Sequence, residues 1–70
     1  MKMSHHSKTS WPEVTGLPAE VAKDKIQDDR PDVEVILVPV GSAVTDDFNT
    51  KRVRVFFNKA GNVAEVPKIG

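Results

Sequence analysis

Val38-Pro39-Val40-Gly41-Ser42-Ala43-Val44-Thr45-Asp46-Asp47-Phe48-Asn49-Thr50-Lys51-Arg52-Val53-Arg54-Val55-Phe56-Phe57 sets a polar segment between two apolar runs and follows it with arginines that alternate with valines. Successive side chains of a strand point to opposite faces, so Val53 and Val55 share one face and Arg52 and Arg54 the other. The spacing predicts a strand over 51–58, apolar on one side and doubly basic at its start on the other. The polar loop over 41–50 then lies beside two guanidinium groups, and Thr45 and Asp47 offer it acceptors. Planar guanidinium forks suit that kind of bidentate bracing. The plainer reading is a solvated basic strand face.

Working outward, residues 33–40 are rich in β-branched side chains and bounded by Pro31 and Gly41, which predicts a second strand, with Ile36 and Val38 expected to face a helix. That helix is predicted over 18–29. Gly16 and Pro18 punctuate its start, proline being tolerated in a first turn, and Arg30-Pro31 stops it. Ala19, Ala22 and Ile26 form its inward stripe with Val21 flanking, too narrow a stripe to stand without a sheet beneath it. Adjacent helical residues point about 100° apart, so Asp28 and Asp29 cannot act as one carboxylate pair and are read as a solvated helix end, where acid opposes the helix dipole. Trp11-Pro12 opens the folded part, with Trp11 as a core anchor. Asn58-Lys59-Ala60-Gly61 is a turn, after which 62–66 is expected to return antiparallel, with Phe56, Val63 and Val66 closing the core. The fold class is α+β: one helix packed on a small sheet, with the loop at one edge.

Seventy residues make one small domain that buries only about 60% of its unfolded surface, so the core is thin. There is no cysteine, so neither disulfides nor a thiolate metal site can supplement it. Ten basic and ten acidic side chains balance, which argues against the uniformly positive field that nucleic acid or anionic lipid attracts. The partner is expected to be a protein or a small molecule, with no membrane. No apolar run approaches the roughly 20 residues of a membrane span, and no apolar h-region of a secretory signal is expected near the N-terminus. Residues 1–7 are read as a disordered tail and residues 8–70 as the domain. His5 and His6 adjoin in that tail without a carboxylate or cysteine at ligand spacing, so no metal site and no cofactor is expected.

The ordered run Lys8-Thr9-Ser10-Trp11-Pro12-Glu13, then Arg52-Val53-Arg54, then Val66-Pro67-Lys68-Ile69-Gly70 resembles the potato inhibitor I family of serine protease inhibitors, at matching spacing over nearly the whole chain. The resemblance implies parallel pairing of the strands that flank the loop, hence a mixed sheet. It implies an extended loop that enters a serine endopeptidase as a substrate would, with the scissile bond between Asp46 and Asp47. Ser42, Ala43, Val44, Thr45 and Phe48 would then touch the protease, and Phe48 could instead pack beneath the loop. Arg52 and Arg54 would support Thr45 and Asp47, and Gly70 matches the family glycine whose carboxylate meets the arginine cluster. The chain departs from the family at Asp46, where large apolar, arginine or small residues are usual, and at Asn49, where a basic residue is usual. Lys51 stands where acidic or neutral residues are common, and Lys25 where helices of the family carry an aliphatic residue, which predicts a looser helix–sheet contact.

A carboxylate at Asp46 suits a protease with a basic pocket or a broad, partly wet one, so subtilisin-like and acid-specific serine proteases are the expected targets and a monomer the expected state. The alternative is a non-inhibitory binding module on the same scaffold. An enzyme is disfavoured: the histidines lie in the tail, and paired carboxylates have no pocket.

Overall fold

The computed structural model describes residues 8–70, so the readings made for residues 1–7, including His5 and His6, lie outside the described residues. In chain order it contains a 3₁₀ turn Pro12–Val14, helix α1 Ala19–Asp29, and strands β1 Glu34–Pro39, β2 Arg52–Phe57 and β3 Lys68–Ile69. The sheet order is β1-β2-β3, with β1 and β2 parallel and β2 and β3 antiparallel. One helix on a mixed three-stranded sheet agrees with the α+β expectation.

Pro18 precedes α1 in an extended conformation and Arg30 ends it, its backbone N–H donating to the Ile26 carbonyl at 2.8 Å. Ala19, Ala22 and Ile26 are the buried helix positions, as the stripe predicts. Ala22 and Ile26 meet Val33, just before β1, and Val35, Val53 and Val55 from the sheet, with Trp11, Val14 and Val63 completing one apolar cluster and Leu17, Leu37 and Ile69 packing against it. Lys25 points to solvent. The helix–sheet contact is carried by Ala22 and Ile26.

Trp11 is fully buried. It ties three parts of the chain together: its backbone N–H donates to the Pro67 carbonyl at 2.9 Å, and its indole Nε1 donates to Asp29 Oδ2 at 3.0 Å. Lys8 Nζ also reaches Asp29 at 3.2 Å, and pairs with Glu13. Asp29 is therefore not the solvated carboxylate expected. Two donors offset the unfavourable position of an acid at a helix C-terminus, where the carbonyl ends already carry partial negative charge.

The phase of β1 differs from the expectation. Val33, Val35 and Leu37 join the helix-side cluster, while Ile36 and Val38 lie on the other face, where Val38 is nonetheless buried. Both faces of this strand are apolar, so period-2 patterning does not choose between them. The choice comes from the neighbour: in the parallel register Val35 stands opposite Val53 and Leu37 opposite Val55, while Ile36 stands opposite Arg54. A β2 whose faces differ sharply imposes its phase on a β1 whose faces do not.

Residues 62–66 do not form the antiparallel strand expected. Single bridges join Asn62 to Pro18 and Val63 to Phe57, and the chain then leaves to pair again as β3 with Val53 and Arg54. Val63 is buried in the core as expected, whereas Phe56 is only half-buried on the side of Arg54 and Val66 is 47% exposed. The turn before this segment is built by Asn58, whose Oδ1 accepts from the N–H groups of Ala60 and Asn62 at 3.0 and 3.1 Å. Gly61 completes it at φ +84°, a conformation costly for any residue with a Cβ.

Candidate functional site

Parallel neighbours place the end of β1 and the start of β2 at opposite ends of the sheet, so the connection must run back along the strands. Six residues of strand span about 20 Å, and such a crossover is usually a helix. Here residues 42–49 carry no regular structure, and every residue over 41–50 is exposed. A connection that is long, extended and solvated needs other groups to hold its shape, and loops of this kind are characteristically functional.

Both ends are pinned by turns. Gly41, at φ +92°, lets the chain reverse as the Ser42 N–H donates to the Pro39 carbonyl at 3.1 Å. At the far end Asn49 Oδ1 accepts from the Lys51 N–H at 2.8 Å, and its carbonyl accepts from the Arg52 N–H at 3.2 Å. Lys51 Nζ also donates to Asp32 Oδ2 at 2.8 Å. Asn49 and Lys51, the two loop-end positions that depart from the resembled pattern, thus each make a local contact.

The middle of the loop is held from β2. Arg54 Nη2 donates to Thr45 Oγ1 at 2.7 Å. Arg52 Nη2 donates to the Asp47 carbonyl oxygen at 2.5 Å and Nη1 to Asp47 Oδ2 at 3.2 Å. Its Nε donates to the Gly70 backbone oxygen at 2.6 Å, and the Gly70 N–H returns a bond to the Arg52 carbonyl at 2.9 Å. Arg52 is buried, so these charge-assisted bonds are shielded from water and stronger than the same contacts on an open surface. The Thr45 hydroxyl and, secondarily, the Arg52 guanidinium hold the Asp47 carboxyl below the usual carboxylate range. Arg54, Thr45, Asp47, Arg52 and Gly70 therefore form one chain of polar contacts running from β2 through the loop to the end of β3.

The structure brings together Thr45, Asp47, Arg52, Arg54 and Gly70, and leaves Asp46 apart. The Asp46 side chain is exposed and makes no hydrogen bond among the described residues, although both of its neighbours are held. Phe48 is 71% exposed and not packed beneath the loop; a Cβ on Gly70 would stand 3.7 Å from its ring. Ser42, Ala43 and Val44 are exposed on the approach to Thr45. Sequence reasoning overlooked the contacts of Asp32 with Arg30 and Lys51 at the base of the loop; the alternation Arg30-Pro31-Asp32 across a proline turn is a signal that could have drawn attention to them. Among the described residues no three His, Cys, Asp or Glu side chains converge to hold a metal ion.

The family model of the potato inhibitor I family matches residues 3–70. A chymotrypsin inhibitor of Lumbricus terrestris is 51% identical over 63 residues, covering 90% of this chain and 73% of that protein. The subtilisin-chymotrypsin inhibitor CI-1C of Hordeum vulgare is 45% identical, covering 91% and 83%. The Glu S.griseus protease inhibitor of Momordica charantia is 44% identical, covering 90% and 93%. Among solved structures, the bitter gourd trypsin inhibitor superimposes with a TM-score of 0.88 at 41% identity, over 90% of this chain and 93% of that one. With one helix on a mixed sheet, an exposed loop tied to the strand that follows it, and similarity along almost its whole length, the chain belongs to the potato inhibitor I family, whose members are protease inhibitors and not enzymes.

Proposed function

We propose that this protein inhibits serine endopeptidases by the substrate-like mechanism, its loop over 41–50 occupying the protease cleft with Asp46-Asp47 as the scissile bond. The observation that carries this reading is the placement of the brace: Arg54 holds Thr45 on one side of that bond and Arg52 holds Asp47 on the other, while Asp46 stands free between them. Ser42, Ala43 and Val44 lead into the cleft and Phe48 meets the protease on the leaving side.

The chemistry follows from that placement. The protease serine attacks the Asp46 carbonyl carbon, an acyl-enzyme forms, and the Asp47 amine leaves as the new N-terminus of the second fragment. In an ordinary substrate that amine diffuses away. Here Arg52 grips Asp47 through both its carbonyl and its carboxylate, so the amine stays beside the ester and re-forms the bond. Cleavage becomes slow and reversible. Because the loop is already ordered, binding also forfeits little conformational entropy, and a small contact surface suffices for tight association.

Asp46 sets the target. An apolar specificity pocket would have to desolvate its carboxylate or protonate it, which disfavours chymotrypsin, and the acidic pocket of trypsin repels it. A basic pocket that cuts after glutamate or aspartate would form a charge-assisted pair, and the similarity to the Glu S.griseus protease inhibitor of Momordica charantia supports that direction. A broad, partly wet pocket of the subtilisin kind is the second reading, supported by the similarity to the subtilisin-chymotrypsin inhibitor of Hordeum vulgare. The protein is expected to act as a monomer.

Inhibition constants against a glutamate-specific serine protease, subtilisin and chymotrypsin, with intact mass followed over hours, test this. Tight inhibition of the first two with slow cleavage after Asp46 is the expected result, and Asp46→Leu should move the preference to chymotrypsin. Rapid cleavage by all three enzymes with no lasting complex would leave a non-inhibitory module on this scaffold.

A further inference from the structure

Lys51 is tied at three points. Its N–H donates to Asn49 Oδ1 at 2.8 Å, its carbonyl accepts from the Glu34 N–H at 2.7 Å, and its ammonium reaches Asp32 at 2.8 Å. The last contact is the unusual one, because the rest of this side chain is 64% exposed and an exposed lysine ordinarily wanders. Asp32 does not wander. Arg30 Nε and Nη2 grip its two carboxylate oxygens at 2.8 and 2.9 Å, and Arg30 is itself buried, with Nη1 donating to the Lys8 carbonyl at 2.8 Å. The far side of the same turn is held by Gln27 Nε2, which donates to the Val33 carbonyl at 2.9 Å.

We propose that Arg30 and Asp32 form a second anchor for the loop, gripping Lys51 from the helix side as Arg52 and Arg54 grip Thr45 and Asp47 from the sheet side, so that Asp32 and Lys51 are positioning residues for the leaving-side half over 47–50. The argument is one of preorganisation. A surface ion pair is weak mainly because two long side chains must both be immobilised. Here the carboxylate is already fixed by a two-point fork from a buried guanidinium, so only the lysine has ordering to lose. Lys51 directly precedes Arg52, and whatever fixes residue 51 also fixes the angle at which Asp47 to Thr50 meet the brace. The neutral Asn49 closes the turn, and the ammonium of Lys51, two residues later, is directed to Asp32 in the turn that follows α1. This inference rests on the inhibitor reading for its purpose, but not for its test.

The test uses the whole chain and the variants Lys51→Met, which keeps the stem and removes the donor, Asp32→Asn, and their combination. Amide exchange at positions 51 and 52 reports on the turn without any protease, and hydrolysis of the Asp46-Asp47 bond by subtilisin reports on the loop. Each single variant should exchange about threefold faster at both amides and be cleaved faster by a similar factor, with the melting temperature of Lys51→Met unchanged. The double variant should be no worse than Asp32→Asn alone, because Lys51→Met has no contact left to remove once the Asp32 charge is gone. Unchanged exchange at 51 and 52, or additive effects in the double variant, would overturn the anchor. If exchange responds as expected while the parent inhibits no protease, the anchor stands and the inhibitor reading fails.

Discussion

Arg30 and Arg52 are buried to nearly the same extent, 8% and 9% exposed, yet they secure different halves of the molecule. Arg30 lies at the end of α1 and itself touches only scaffold, the Lys8 carbonyl and Asp32, so that it bears on the loop solely through the proposed Asp32–Lys51 contact. Arg52 lies at the start of β2 and joins scaffold to loop: Gly70 on one side and Asp47 on the other. The scaffold is made by apolar burial, with Trp11, Ile26, Val53 and Val55 fully inaccessible. Around the loop there is almost no burial, and shape is held by a few directional polar contacts. Burial is additive and tolerant of small displacements, whereas a chain of hydrogen bonds fails when one member is lost. The scaffold should therefore lose stability gradually on mutation and keep its function, and the loop should lose function while the fold persists.

The sharpest separation should come from Ile26→Ala. Removing a fully buried side chain between α1 and β2 should cost about 3 kcal/mol of stability. The urea midpoint should fall accordingly, while the inhibition constant of the folded fraction stays within a factor of two. A large loss of inhibition without unfolding would break the division between the two halves.

Arg52→Ala is the converse experiment. It removes three contacts to Asp47 and Gly70, and loop hydrolysis should accelerate about 100-fold, or roughly 2.7 kcal/mol in free energy. Inhibition should weaken in step, and the folded state should persist by circular dichroism. Equal hydrolysis rates for variant and parent would count against the brace. Arg54→Ala removes a single bond to Thr45 from a half-buried position, so a smaller change of about tenfold is expected in the same assay.

The smallest effect is that of pH. The Asp47 carboxyl is held below its ordinary value of 3.8, first by Thr45 and then by Arg52. Its folded value is depressed, so its contribution to loop order is fully present above 3.8 and is lost as pH falls through the lower folded value. Amide exchange at positions 47 and 48, corrected for intrinsic rates, should rise a few-fold from pH 5 toward strong acid, and Asp47→Asn should flatten that rise. A profile identical in Asp47→Asn would assign it to other carboxylates such as Asp32, which Arg30 and Lys51 also hold below the usual range.

Much of the scaffold is legible in the chain. The helix follows from Ala19, Ala22 and Ile26 between proline signals, and β2 from valines alternating with arginines, because in both cases one face differs chemically from the other. The phase of β1 is not legible, since Val35 and Leu37 are no more apolar than Ile36 and Val38. Strand β3 is two residues long, too short to carry a pattern, and it exists where β2 and the Gly70–Arg52 contacts place it. Of the polar contacts in the loop, those joining Thr45 and Asp47 to Arg52 and Arg54 are legible through spacing and resemblance. Asp32 was not, because its contact with Lys51 joins residues 19 apart that only strand pairing brings together.

The sequence by itself determined which elements exist and which residues can brace a loop, because periodicity, proline and side-chain chemistry are local properties. Only the tertiary structure decided which face of β1 joins the helix-side cluster, that Asp29 and Asp32 are held by buried or fixed partners, and that Asp46 alone is left without one in the middle of the loop. These depend on register and on contacts between distant parts of the chain, where the free energy of one residue is set by a neighbour that the local pattern does not name.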